Sequence, residues 1–223
     1  MAIRAVLFDI YGTLLVSHAG GSHPDPQLRQ AIARAHAASP YSFPEVDIRE
    51  VYSELHPKLE PVEIEALALE QEHAFNPVSA MPGATETLQA LSSAGMQLGL
   101  VSNAQFYTVP ILEECLGASI MGLGIDPDLC QFSYLLRRAK PDLFVFETAR
   151  DTLARRGISA AETLYVGNDV LKDIDPARSV GFRTALLAGD PQMLRLHGRN
   201  LADSGANWLL NDLREIIAGV AQL

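Results

Sequence analysis

The first apolar run of the chain, IRAVLFDI at Ile3–Ile10, is short and nearly continuous. A run of this kind suits a strand covered on both faces, as in a parallel sheet. Gly12 and Thr13 interrupt it, and from about Ser17 to Ala80 the pattern changes. A Gly-rich connector, His18 to Pro24, leads into helical periodicity at about Pro26–Ala38, Ile48–Leu55 and Val62–Phe75, with no strand pattern between them. Met81-Pro82-Gly83 is a turn signal. Beyond it the two periods alternate. Ala84–Ala94 reads as a helix stopped by Gly95, Gln97–Ser102 as a strand, Thr108–Leu116 as a helix closed by Gly117, and Phe132–Leu136 as a short strand. Pro141–Arg156 reads as a helix with Pro in its first turn and Gly157 just past its end. Strands at Thr163–Val166 and Arg183–Leu187 flank a helix at Leu171–Val180, and Trp208–Leu210 with Leu213–Val220 complete the alternation.

Repeated strand–helix units predict an α/β fold: a doubly wound, Rossmann-like parallel sheet. The helix-only block after the first strand predicts a small inserted cap at residues 17–81, with residues 1–16 and 82–223 forming the core domain. At 223 residues the chain can bury a substantial core without a disulfide or a structural metal. Its two cysteines, Cys115 and Cys130, set no disulfide framework and read as free thiols in a reducing compartment. A formal net charge of −10 argues against nonspecific binding to nucleic acid or to anionic membranes. No apolar run is long enough to span a bilayer, and the N-terminus is a poor signal-peptide core, so the expected location is cytoplasmic. Nothing in the sequence sets the oligomeric state.

In a parallel sheet the ligand site lies at the carboxyl ends of the strands. Past the first predicted strand come Asp9, Tyr11, Gly12 and Thr13; past the second, Ser102 and Asn103. Lys140 precedes the helix at Pro141, and Gly167, Asn168, Asp169 and then Asp173 follow the strand at Thr163–Val166. Four separate segments therefore deliver carboxylates, hydroxyls and an ammonium to one edge. A carboxylate such as Asp9 can act as a covalent nucleophile. Thr13 and Ser102 offer hydroxyl donors to an oxyanion. Lys140 can neutralise both nucleophile and substrate anion. Asp169 and Asp173 are hard oxygen donors of the kind that hold Mg²⁺ with the help of water and substrate phosphate. The six histidines show no metal-ligand spacing; His18, His23, His56 and His73 read as solvated. Gly122 and Gly124 do not continue into a dinucleotide fingerprint, because Pro127 takes the third glycine's place.

Taken in order, FDIYGTLL, LVSNAQ, AKPDLFVFETA and YVGNDVLKDIDPARSVGF resemble the four motifs of the haloacid dehalogenase-like hydrolase superfamily. The resemblance covers nearly the whole chain. It implies Asp9 as nucleophile, Ser102 and Lys140 as the second and third motif residues, and acidic residues of the fourth holding Mg²⁺. One position departs from the family's phosphatases: Tyr11 stands where they carry a second aspartate that protonates the leaving group. A tyrosine with a pKa near ~10 is a poor proton shuttle at neutral pH. Asp-x-Tyr-Gly-Thr instead resembles the 2-haloacid dehalogenases, whose halide leaves unprotonated. Against that, Phe146 and Val170 replace a tyrosine and an asparagine of the dehalogenase pattern, and no spacing selects Arg29, Arg34 or Arg49 as the cap arginine those enzymes need. Three clustered carboxylates, Asp9, Asp169 and Asp173, call for a cation. The favoured reading is a Mg²⁺-dependent phosphatase of a small phosphorylated metabolite, with Asp9, the Tyr11 carbonyl, Asp169 and Asp173 as metal ligands. Thr13, Ser102, Asn103 and Tyr11 are its substrate contacts. Asn168 competes with Asp169 for the ligand position. The alternatives are a metal-independent 2-haloacid dehalogenase and a catalytically weak protein that binds a phosphorylated ligand.

Overall fold

A computed structural model describes residues 2–17 and 23–220; most of the Gly-rich connector around His18 lies outside the described residues. In chain order the first elements are β1 (Ala5–Phe8), β2 (Leu15–Ser17), α1 (Pro26–Ala38), α2 (Ile48–Leu55), α3 (Pro61–Phe75) and β3 (Val78–Ala80). Then come α4 (Ala84–Ser93), β4 (Gln97–Ser102), α5 (Thr108–Leu116), β5 (Ile125–Phe132), α6 (Ser133–Leu136) and α7 (Leu143–Arg155). The remainder is β6 (Thr163–Gly167), a π-helical turn at Val170–Ile174, α8 (Asp175–Ser179), β7 (Arg183–Leu187), β8 (Trp208–Leu210) and α9 (Glu215–Val220).

The main sheet has the order β5-β4-β1-β6-β7-β8, and every pairing in it is parallel. β1 is buried at all four positions because both neighbours and both helical layers cover it. Side chains alternate between the two faces. Val6 and Phe8 join Leu88, Leu91, Leu98 and Leu100 in one core. Ala5 and Leu7 join Val145, Phe146, Leu153 and Tyr165 in the other. The chain leaves β1 toward β4 on one side and returns at β6 on the other. The strand order therefore reverses at β1, which is where an open parallel sheet leaves a crevice at its carboxyl edge.

Among the described residues between β2 and β3, the regular elements are the three helices α1, α2 and α3. β2 and β3 pair antiparallel, Leu15 opposite Ala80 and Ser17 opposite Val78, so the helical segment is tied at its two ends by one ribbon. Asp25 caps α1 and Asp47 caps α2 through side-chain oxygens that accept backbone amides. Glu60 and Glu63 form a capping box at α3.

Three local expectations are corrected. Phe132–Leu136 is no strand: β5 ends at Phe132, and α6 follows. β5 carries Asp126, Pro127 and Asp128, a polar, proline-containing pattern that only an edge strand accommodates. Both aspartates pair with Arg156. The helix expected from Pro141 begins at Leu143, capped by Asp142, and the Lys140–Pro141 peptide is cis. The helix expected at Leu171–Val180 divides into the π-helical turn and α8. No helix of the described residues is long and apolar enough to cross a membrane, and Cys115 and Cys130 are free thiols.

Candidate active site

The backbone of β1 runs one residue past its assigned end, with the Asp9 amide donating to the Val166 carbonyl at 2.9 Å. The chain then folds back sharply: the amides of Thr13, Leu14 and Leu15 all donate to the Ile10 carbonyl. Gly12 has φ +86°, and a Cβ there would run into the Asn168 side-chain amide. Glycine is therefore required by both its conformation and the close approach of the fourth-motif loop.

Asp9 is nearly buried and shares one oxygen between two donors. Its Oδ1 accepts from Ser102 Oγ at 2.8 Å and from Lys140 Nζ at 2.7 Å. Lys140 Nζ also donates to Asp173 Oδ1 at 2.6 Å and lies 3.1 Å from the Tyr165 hydroxyl. The three sequence-distant groups thus form one buried chain, carboxylate–ammonium–carboxylate, with side-chain exposures of 9%, 3% and 1% for Asp9, Lys140 and Asp173. Burial alone would lower the pKa of Lys140, but Asp173 and Asp9 outweigh it, and the ammonium is held charged. Burial raises the pKa of Asp173, with Lys140 opposing.

Asp173 is saturated. Its Oδ1 meets Lys140 and the Tyr165 hydroxyl, and its Oδ2 accepts the amides of Asn168 and Asp169 at 3.1 and 3.0 Å. The Asn168 side chain is equally committed: Nδ2 donates to the Met193 carbonyl at 2.6 Å, and Oδ1 accepts from Thr13 Oγ1 at 3.4 Å. Asp169 differs. One oxygen, Oδ1, caps the π-helical turn by accepting the amides of Leu171 and Lys172, and His197 Nε2 lies 2.9 Å from it. Among the described residues, the other oxygen, Oδ2, accepts no hydrogen bond.

A cavity of about 240 Å³ opens on this chain of charges, lined by Asp9, Tyr11, Gly12, Ser102, Asn103, Lys140, Asn168, Asp169 and Asp173. Nearly all the residues singled out from the sequence therefore converge on one cavity. Gly167 and Thr13 are outside its lining, Thr13 fully buried with its hydroxyl turned to Asn168. Asn103 lines the cavity, yet its amide grips the Lys140 backbone: Oδ1 accepts from the Lys140 amide at 2.7 Å and Nδ2 donates to the Lys140 carbonyl at 3.2 Å. It does not cap α5, whose first-turn neighbour is Tyr107. The Tyr11 hydroxyl lies 3.2 Å from Thr108 Oγ1, and burial lifts its pKa beyond the ordinary tyrosine value. It stays protonated at neutral pH.

Four lining residues carried no signal in the sequence: Ser17, Lys172, Met193 and Arg195. Met193 and Arg195 belong to the segment after β7, which is stitched to the fourth-motif loop by Arg195 N to Asn168 O and Val170 N to Arg195 O, both 2.9 Å. Tyr165 is also new; it looks from the sequence like one more apolar position in a buried strand.

The three clustered carboxylates expected of a metal centre are not found as such: among the described residues no three acidic, histidine or cysteine side chains form a ready cage. Lys140 and the backbone amides already satisfy Asp173. The oxygens of the expected ligand set that accept no hydrogen bond among the described residues are Asp9 Oδ2, Asp169 Oδ2 and the Tyr11 carbonyl. Two carboxylates and one carbonyl are a hard-oxygen set that fits Mg²⁺, which keeps several water ligands and takes one or two carboxylates.

Comparison with known proteins gives four matches. Residues 3–181 match the family model described as haloacid dehalogenase-like hydrolase. The chain is 29% identical to N-acetylmuramic acid 6-phosphate phosphatase of Pseudomonas aeruginosa, over 97% of this chain and 94% of that protein. It is 28% identical to phosphoglycolate phosphatase of Pseudomonas savastanoi over 71% of this chain, where the match spans about half of that protein, 53%. Among solved structures, 2-haloacid dehalogenase from Pseudomonas syringae superposes with a TM-score of 0.65 at 19% identity, covering 99% of both chains. At that identity the likeness concerns the fold alone.

Proposed function

The chain belongs to the haloacid dehalogenase-like hydrolase family, and we propose that it is a Mg²⁺-dependent phosphatase acting on a small phosphorylated metabolite. The observation that carries this reading is the Ser102–Asp9–Lys140–Asp173 chain at the floor of a polar cavity. Two donors fix one oxygen of Asp9, which orients the carboxylate as a nucleophile. Asp9 attacks phosphorus, a phosphorus–oxygen bond to Asp9 forms, and the ester oxygen departs. Water then hydrolyses the aspartyl phosphate, returning free Asp9 and inorganic phosphate. Lys140 stays charged throughout and faces the phosphoryl oxygens as they develop charge. Asp9, Asp169 and the Tyr11 carbonyl are the groups that would hold Mg²⁺, which when bound offsets negative charge on the phosphoryl group. Asp173 orients Lys140 and the fourth-motif loop; Asn168 braces that loop against Thr13 and Met193.

The helical segment at residues 17–81 is assigned as a cap. Its link to the second-motif loop supports this: the Ile48 amide donates to Gln105 Oε1, and the Tyr107 hydroxyl to Glu72 Oε2. With Tyr11 unable to protonate a leaving group, the departing oxygen takes its proton from water. Turnover with poor leaving groups is accordingly slow. A panel of phosphate esters assayed with Mg²⁺ and with a chelator tests the proposal: hydrolysis that vanishes with the chelator is expected, and metal-independent or absent hydrolysis would count against it.

Tyr11 favours one second reading, a metal-independent 2-haloacid dehalogenase, since halide departure needs no acid. Chloride release from 2-chloropropionate in the presence of the chelator would establish it.

A further inference from the structure

Three cations line the catalytic cavity: Lys140, Lys172 and Arg195. Lys140 is held between Asp9 and Asp173. Lys172 and Arg195 form no ion pair among the described residues. The Arg195 guanidinium donates through Nη1 to the carbonyls of Gln192 and Leu194, which orients it without neutralising it. In a chain of net charge −10, two cations that line one cavity and form no ion pair among the described residues call for an anion.

Both cations sit on backbone hydrogen-bonded to Asp169 or its neighbours. The Lys172 amide donates to Asp169 Oδ1 at 2.9 Å. Arg195 is bridged, backbone to backbone, on both sides of Asp169 through Asn168 and Val170. Ser17, the first residue of the helical segment, lines the same cavity, which therefore lies where core and segment meet. The phosphoryl group is already provided for by Asp9, Ser102 and Lys140 on the cavity floor. We propose that Lys172 and Arg195 form a subsite for a second anionic group of the substrate, a carboxylate or a second phosphate, and that they set specificity for phosphate monoesters carrying one. This rests on the phosphatase reading for its substrate, although the subsite itself can be tested by binding alone.

The test compares phosphonoacetate, which pairs a phosphonate with a carboxylate, with methylphosphonate, which lacks the second anion, and methylenediphosphonate, which replaces it by a second phosphonate. Binding is measured calorimetrically with the full chain and Mg²⁺. Both residues are exposed, so Lys172→Gln/Arg195→Gln should fold; a melting curve matching wild type checks this. Wild type is expected to bind at least one two-anion probe at least tenfold more tightly than methylphosphonate. The double variant should lose that margin, and Lys172→Arg should keep it. Which two-anion probe wins identifies the second group. No margin in wild type, or equal weakening of all three probes in the double variant, would overturn the proposal; the latter would place both cations on the phosphoryl group. Failure of the phosphatase reading would show separately, as absence of turnover of every ester while the binding margin persists. If turnover is present, kcat/KM for an acid-bearing ester relative to ethyl phosphate should fall at least tenfold in the double variant, mainly through KM.

Discussion

Asp9, Lys140 and Asp173 come from β1, the loop before α7 and the π-helical turn, yet share hydrogen bonds of 2.6 to 2.7 Å. Each is tolerable in the interior only because of the others: removing one partner of a buried pair leaves a bare charge, at a cost of roughly 3–5 kcal/mol. Lys140→Met is thus expected to lower stability and activity together, whereas Asp9→Asn, which keeps the acceptor oxygen for Ser102 and Lys140, should abolish activity with little loss of melting temperature. Tyr11 is the residue-scale departure with the clearest consequence. Its hydroxyl faces Thr108 and burial keeps it protonated. General acid–base catalysis contributes typically ~10²–10⁴-fold. Tyr11→Asp is therefore expected to raise kcat for alkyl phosphates at least tenfold while changing that for p-nitrophenyl phosphate, a good leaving group, far less. Equal effects on both substrates would contradict the idea that the missing proton donor limits turnover.

At the scale of elements, the loops at the sheet edge are held by side-chain clamps on backbone. Asn103 grips both the amide and the carbonyl of Lys140, linking the end of β4 to the loop before α7. Asn103→Ala should lower kcat by roughly tenfold with KM nearly constant, since each of the two lost hydrogen bonds to neutral backbone groups is worth about 0.5–1.5 kcal/mol; a change confined to KM would assign Asn103 to substrate instead. Gly12 is the corresponding point on β1: Gly12→Ala adds roughly 1–2 kcal/mol of left-handed strain and displaces Asn168, so melting temperature and activity should fall together. Parallel strands and amphipathic helices were legible because burial on both faces or on one stripe writes itself into periodicity. β5 was not, since an edge strand can carry Asp126, Pro127 and Asp128 when Arg156 lies against it. The π-helical turn was also invisible, because its shape is set by Asp169 and Asp173 bonding the loop's own amides rather than by hydrophobic spacing.

At the scale of the whole molecule, reversal of strand order at β1 brings four loops to one cavity, and the motif residues could be read for that reason: each follows or precedes a regular element. Lys172, Met193 and Arg195 could not, because the segment after β7 reaches the cavity through backbone bridges to Asn168 and Val170, which any sequence could make. The hydrogen-bonding roles of Thr13, Asn103 and Asn168 were likewise hidden: a motif reports which residues meet, while their partners are settled by packing. What remains central is the covalent role of Asp9. Quenching the enzyme during turnover of a phosphate ester, reducing with borohydride and mapping peptides by mass spectrometry reads it directly. Homoserine, the reduction product of an aspartyl phosphate, is expected at position 9, and none in enzyme without substrate. Steady turnover with an accumulating phosphoenzyme modified at some other residue, and position 9 untouched, would contradict it.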